Sequence, residues 1–126
     1  MTTSELQVDV RERDGIAVID LIGDLNASAE GALEEAYARA TAGGAEAVAL
    51  NFERAQYINS TGIALIGGLL AQARRNRVEV KAFGLSDHYR EIFEITRLAD
   101  FMTIADDKER APDAGPGAGS EGSSDA

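Results

Sequence analysis

The chain has 126 residues, 44% of them hydrophobic and 27% charged, which suits one soluble globular domain with a real core. It has no cysteine and a single histidine, His88, which excludes disulfide frameworks, thiol chemistry and multi-histidine metal sites. The formal net charge of −10 disfavours nucleic acid and anionic membrane as partners and favours basic proteins.

The N-terminus, MTTSELQVDV, lacks the basic start and apolar stretch of a signal peptide. The longest apolar run, Gly62 to Ala71, falls short of the roughly 20 residues a membrane span needs. A cytoplasmic protein is expected.

LQVDV, Leu6 to Val10, alternates apolar and polar and predicts a half-exposed strand. Asp14-Gly15 is a tight-turn signal. Ile16 to Gly23 is nearly all apolar, which suits a central strand covered on both faces and paired antiparallel with the first. The period then changes. Leu33, Ala36, Tyr37 and Ala40 fall on one face of a helix, with Asn26 or Ser28 as its cap and Gly43-Gly44 as its end. Ala47 to Phe52 reads as a buried strand, and ERAQYI, residues 53–58, as a loop.

The polar cluster Asn59-Ser60-Thr61-Gly62 opens a second helix. Ile63, Ile66, Gly67 and Leu70, widened by Leu65 and Leu69, predict that this helix is largely buried. Gly67-Gly68 costs helix propensity, roughly 1 kcal/mol per glycine, and close approach to the sheet is the expected gain. Cations in ARRNR suit the helix end. Val78 to Gly84 predicts a strand. Ser86-Asp87 caps a third helix with Tyr89, Ile92, Phe93 and Thr96 on its apolar face, and Met102 to Ala105 is a short final strand. From Asp107 onward no large apolar residue remains. Residues 107–126 are therefore expected to be a disordered acidic tail rich in Gly, Pro, Ser and Ala, beyond a domain spanning 1–106.

The order β-β-α-β-α-β-α-β predicts a single α/β domain, with a mostly parallel central sheet, an N-terminal antiparallel hairpin and right-handed crossovers. In such sheets functional groups gather where strand C-termini meet helix N-termini. Asn59 to Gly62 and the GDLN segment, Gly23 to Asn26, both fall on that edge. Two compatible readings stand. The cluster caps the helix, or it also presents an exposed hydroxyl where a phosphate would meet helix N–H groups and the positive end of the dipole. Enzyme readings are weaker. There is no G-x-S-x-G elbow, Walker loop or G-x-G-x-x-G, and His88, in the first turn of the third helix, reads as solvated. No catalytic residue, metal site or cofactor is expected.

Taken together, strand–GDLN and strand–YINSTG–apolar helix resemble the STAS domain of bacterial anti-sigma factor antagonists, over residues 5 to 106. GLSDHYREIFEITRLADFMTI is similar to the family's last helix and strand. The resemblance implies phosphorylation on Ser60, with Thr61 as second candidate, and Gly62 as the motif's glycine. It implies a partner surface of Asn26, Asn59, Ser60, Thr61 and Gly62. The partners it implies are an anti-sigma factor of serine-kinase type, bound while Ser60 is unphosphorylated, and a serine phosphatase. Transcription would be regulated indirectly. The family's aspartates are amides here, at Asn26 and Asn59, and its second serine is Thr61. The amides keep shape and hydrogen bonding but lose charge. They lend support to the alternative, a STAS scaffold or ligand-sensing module that is never phosphorylated.

Overall fold

The computed structural model describes residues 5–105. The tail expected over 107–126 lies outside the described residues. Two strands open the chain, β1 (Gln7–Arg13) and β2 (Ile16–Leu25), paired antiparallel. The turn between them places Asp14 at φ 56° and Gly15 at φ 82°. Left-handed backbone at both central positions is what a two-residue hairpin of this twist requires, and Asp-Gly meets it at low cost.

The alternation then runs α1 (Glu30–Thr41), β3 (Ala47–Ile58), α2 (Ser60–Arg75), β4 (Glu79–Phe83), α3 (Asp87–Ile95) and β5 (Thr103–Ile104). A 3-10 turn, Ala27–Ala29, precedes α1, and another, Leu98–Phe101, precedes β5. The sheet order is β1-β2-β3-β4-β5, and every pair after the first is parallel. Each crossover steps one strand in the same direction, so crossovers of one hand put all helices on one face.

That face holds the main core. Ile19, Leu21 and Leu25 of β2, Leu50 of β3, Ile66 of α2 and Phe93 of α3 are fully buried in it. Phe93 meets Phe52 edge to face at 5.7 Å between ring centroids. The other face has a small apolar patch of Val18, Ala49 and Phe83, with no helix of the described residues over it. The expectation of β2 covered on both faces holds fully for the helical face and only at Val18 on the other. On that second side Ile16, Asp20, Ile22 and Asp24 are only half-buried.

Beside that patch sits a polar network. Asp20 accepts from Arg11 at 2.7 and 3.2 Å and from the Asn51 amide at 2.8 Å. Asn51, only 8% exposed, accepts through its side-chain oxygen from the Glu53 N–H at 3.0 Å. This bond serves a bulge, because the β2–β3 register shifts between Asp20 and Ile22. The bulge corrects the reading of 53–58 as a loop. Those residues continue β3 to Ile58, in register with Leu25. The periodicity of β3 breaks at the bulge, and its second half pairs with β2 alone, so its outer positions are polar.

Three smaller corrections follow from burial. Helix α2 is amphipathic, not largely buried; Gly62, Ile66, Leu69, Leu70 and Ala73 face inward while Ala64, Gly68 and Ala71 are exposed. Thr96 is exposed and returns its hydroxyl to the Ile92 carbonyl at 2.7 Å. Asn26 caps the 3-10 turn, accepting from the Ser28 N–H at 3.0 Å, while α1, with Ala29 at its N-cap position, has no side-chain cap.

Burial alone would raise the Asp20 pKa, but hydrogen bonds from Arg11 and Asn51 and the Arg11 charge outweigh it and hold the carboxyl below its usual value. A depressed folded pKa stabilises above the unfolded pKa of about 3.9 and ceases to do so as pH falls through the folded value. The urea midpoint of the wild type should therefore fall as pH drops below about 4, and Asp20→Asn should flatten that part of the profile while costing about 1–3 kcal/mol at neutral pH. A pH profile unchanged by the substitution would remove Asp20 as its source.

Candidate functional site at the β2–α2 edge

The end of β2 and the start of α2 are stitched together by backbone. Leu25 pairs with Ile58 in the sheet, and its carbonyl accepts from the Asn59 N–H at 3.1 Å. Asn59 has extended backbone and caps α2; its side-chain oxygen accepts from the Gly62 N–H at 2.8 Å, and its carbonyl from the Ile63 N–H at 2.9 Å. Gly62 faces the Leu25 carbonyl directly. A Cβ there would penetrate the carbonyl oxygen and crowd the Leu25 side chain. Only glycine lets the helix start lie this close to the strand.

The register puts the sequence-predicted residues together. Asn26 follows Leu25 and Asn59 follows its partner Ile58, so the two amides emerge side by side, both half-buried. The Asn26 side chain also accepts from the Ser28 hydroxyl at 2.7 Å. Ser60 and Thr61 are exposed in the first turn of α2, and Gly62 is buried behind them. Among the described residues no hydrogen bond engages the Ser60 hydroxyl. The first turn of α2 contains no acidic residue, so the positive end of its dipole is uncompensated. Both amides are occupied as caps, a task a carboxylate would also perform. That accounts for acceptors at 26 and 59, though not for their lost charge.

Two contributors escape sequence reading. Tyr89 was placed on the apolar face of α3, but its hydroxyl accepts from the Ile58 N–H at 3.0 Å. β4 ends at Phe83, so the far side of β3 has no strand there, and α3 supplies the acceptor instead. Tyr57, paired with Asp24 across the strands, is 56% exposed next to the cluster. Its place two residues before the Asn59 cap is legible in the sequence, but its exposure is not. His88 stands exposed beside Tyr89 in the first turn of α3, as expected. Among the described residues no group of acidic residues and histidine is arranged to hold a metal ion. No described helix is long and apolar enough to cross a membrane.

The STAS domain family model matches residues 7–111. The chain belongs to the STAS domain family. The residues that carried the resemblance, GDLN and YINSTG, form the edge just described. Among its relatives is the anti-sigma-B factor antagonist of Staphylococcus aureus, 29% identical over 104 residues, which cover 82% of this chain and 96% of that one. The Listeria monocytogenes protein of the same name is 27% identical over 100 residues, 79% of this chain and 88% of that one. Two solved structures share the fold. An anti-sigma factor antagonist from Mycobacterium paratuberculosis aligns with TM-score 0.67 at 16% identity, covering 79% of this chain and 85% of that one. The antagonist SpoIIAA in its unphosphorylated form aligns with TM-score 0.61 at 22% identity, covering 80% and 87%.

Gly62→Ala should cost about 2–3 kcal/mol by forcing α2 away from Leu25, a shift read in chemical denaturation. Tyr89→Phe should cost about 1–3 kcal/mol by orphaning the Ile58 N–H. Amide hydrogen exchange at Ile58 and Asn59 should then speed up more than exchange in β1. Uniform acceleration across the sheet would contradict a local role for Tyr89.

Proposed function

We propose that this protein is an anti-sigma factor antagonist that docks on an anti-sigma factor of serine-kinase type and is switched off by phosphorylation of Ser60. The observation that carries this reading is the Ser60 hydroxyl, exposed and unengaged at the first residue of α2, on a helix start held rigidly against β2. The names of the relatives, antagonists of anti-sigma factors, support the partner class.

In this reading Asn26, Asn59, Thr61 and Gly62 form the docking edge around Ser60. The kinase brings ATP, metal and base; this chain supplies the acceptor oxygen and has no catalysis of its own. Transfer adds about −1.5 to −2 charge in the first helical turn. The free N–H groups and dipole of α2 hold that charge without unfolding anything. Docking then fails by desolvation and bulk at the centre of the contact, with further repulsion where the partner is acidic. A serine phosphatase resets the hydroxyl. The replacement of two family aspartates by Asn26 and Asn59 lowers the local negative charge a phosphate must meet. The site of action is the cytoplasm, where sigma factors work.

Ser60→Asp should weaken binding to the purified anti-sigma factor at least tenfold, about 1.4 kcal/mol, by calorimetry. Ser60→Ala should bind within about twofold of wild type, because nothing in the fold depends on that hydroxyl. Equal affinity of the two variants would remove the switch and favour the unphosphorylated scaffold.

A further inference from the structure

β1 is an edge strand. It stands first in the sheet order, and among the described residues its seven residues pair with β2 alone. The hairpin fixes which of its backbone groups point outward. Arg13 and Ile16 close the two-residue turn, so they exchange both hydrogen bonds of a narrow pair. Narrow pairs then recur at every second residue, and the β1–β2 register runs unbroken to Gln7. Gln7, Asp9, Arg11 and Arg13 therefore direct their N–H and C=O groups at β2. Val8, Val10 and Glu12 turn theirs away from the sheet. Such a row is a template for another strand.

The side chains of β1 add a second feature that the fold leaves unexplained. Asp9 stands directly across from Asp20, like charge facing like. Arg11, diagonal to Asp20, is engaged by it at 2.7 Å. The Asp9 carboxylate has no hydrogen bond or ion pair among the described residues. On the helical face, Val8 and Val10 pack against the core but stay only half-buried, with apolar surface left at the edge.

We propose that β1 pairs with β1 of a second copy, antiparallel about a two-fold axis at Val10, which joins the two sheets into one. Hydrogen bonding requires outward residues to face outward residues, so the axis can fall only at a residue from Val8 to Glu12. An axis at Asp9 sets Asp9 against Asp9. One at Arg11 sets Arg11 against Arg11, and one at Glu12 sets Glu12 against Glu12. Like charges directly opposite destabilise a ladder. An axis at Val8 avoids them but pairs only the start of the strand. An axis at Val10 pairs the whole strand, brings Val10 onto Val10, and places Asp9 of each copy opposite Arg11 of the other. A strand that complements itself in this one register fits its own copy, as an isologous interface demands. The axis stands perpendicular to the sheet. The helices of both copies therefore lie on one side, and the two Ser60 edges stay open at opposite ends of the joined sheet.

Sedimentation equilibrium of the full, unmodified chain tests the pairing with no other component present, so its failure is separate from failure of the Ser60 switch. A monomer–dimer equilibrium is expected between micromolar and millimolar concentration. Amide hydrogen exchange then reads the interface. Protection at Val8, Val10 and Glu12 should rise about tenfold or more with concentration, while Asp9, Arg11 and Arg13 stay protected throughout. Asp9→Arg should weaken the dimer about tenfold or more by facing Arg11 of the other copy. Its thermal melt should stay that of a folded protein, because the change also ends the opposition of Asp9 and Asp20. Glu12→Pro, which deletes an outward donor and no bond to β2, should weaken the dimer similarly. A monomer throughout the range, a dimer indifferent to either variant, or exchange at Val8, Val10 and Glu12 that ignores concentration would overturn the proposal.

Discussion

The carbonyl of Leu25 decides how this domain presents its edge. It ends β2, accepts from the Asn59 N–H, and leaves room for α2 only because residue 62 has no side chain. Every feature of the candidate site depends on that approach. It fixes where α2 begins and brings Asn26 alongside Asn59. It also aims the first turn of the helix outward. A serine on a loose loop would present the same hydroxyl, but its position would vary and its phosphate would lack preordered N–H groups. Here the Ser60 hydroxyl stands on a helix start tied to β2, so a charge placed on it would change a surface and not a fold.

Two distant supports keep that edge in place. On the open face of the sheet, Asn51 links Asp20 to the bulge at Glu53 and so permits β3 to continue past the end of β4. On the helical face, Tyr89 accepts the N–H of Ile58, which no strand reaches. Without the bulge the second half of β3 would shift register, and a shift of one residue would exchange its inward and outward side chains. The polar network and the tyrosine thus carry the same task from opposite faces. Each is a buried or half-buried hydrogen bond whose loss would leave an orphaned group near the site.

Much of this was legible in the sequence. Asp14-Gly15 announced the hairpin, the periods of Leu33 to Ala40 and Ile63 to Leu70 announced two helices, and Asn59 and Ser86 announced the caps of α2 and α3. The motifs GDLN and YINSTG placed the chain in its family and located the edge. What escaped shares one cause: it depends on contacts far apart in sequence. Residues 53–58 looked like a loop because the bulge breaks alternation, and Asn51, which serves the bulge, is itself held by Asp20 of β2, 31 positions earlier. Tyr89 was visible as an apolar-face residue, but the destination of its hydroxyl was not. Gly67-Gly68 was assigned to sheet packing, since a local pattern gives no hint that Gly68 faces outward. Conversely, Gly62 stood only as the glycine of the motif, and the fold reveals the carbonyl that a side chain would strike.

The central claim is that Ser60 is a phosphate acceptor on a preformed helix start. Peptide-mapped mass spectrometry of the protein isolated from its native cells addresses it most directly, on the tryptic fragment from Ala55 to Arg74. The account predicts a phosphate on Ser60 whose occupancy changes between growth and stress. A fragment unmodified at Ser60 under every condition would contradict it and leave the rigid edge as a docking surface without a switch.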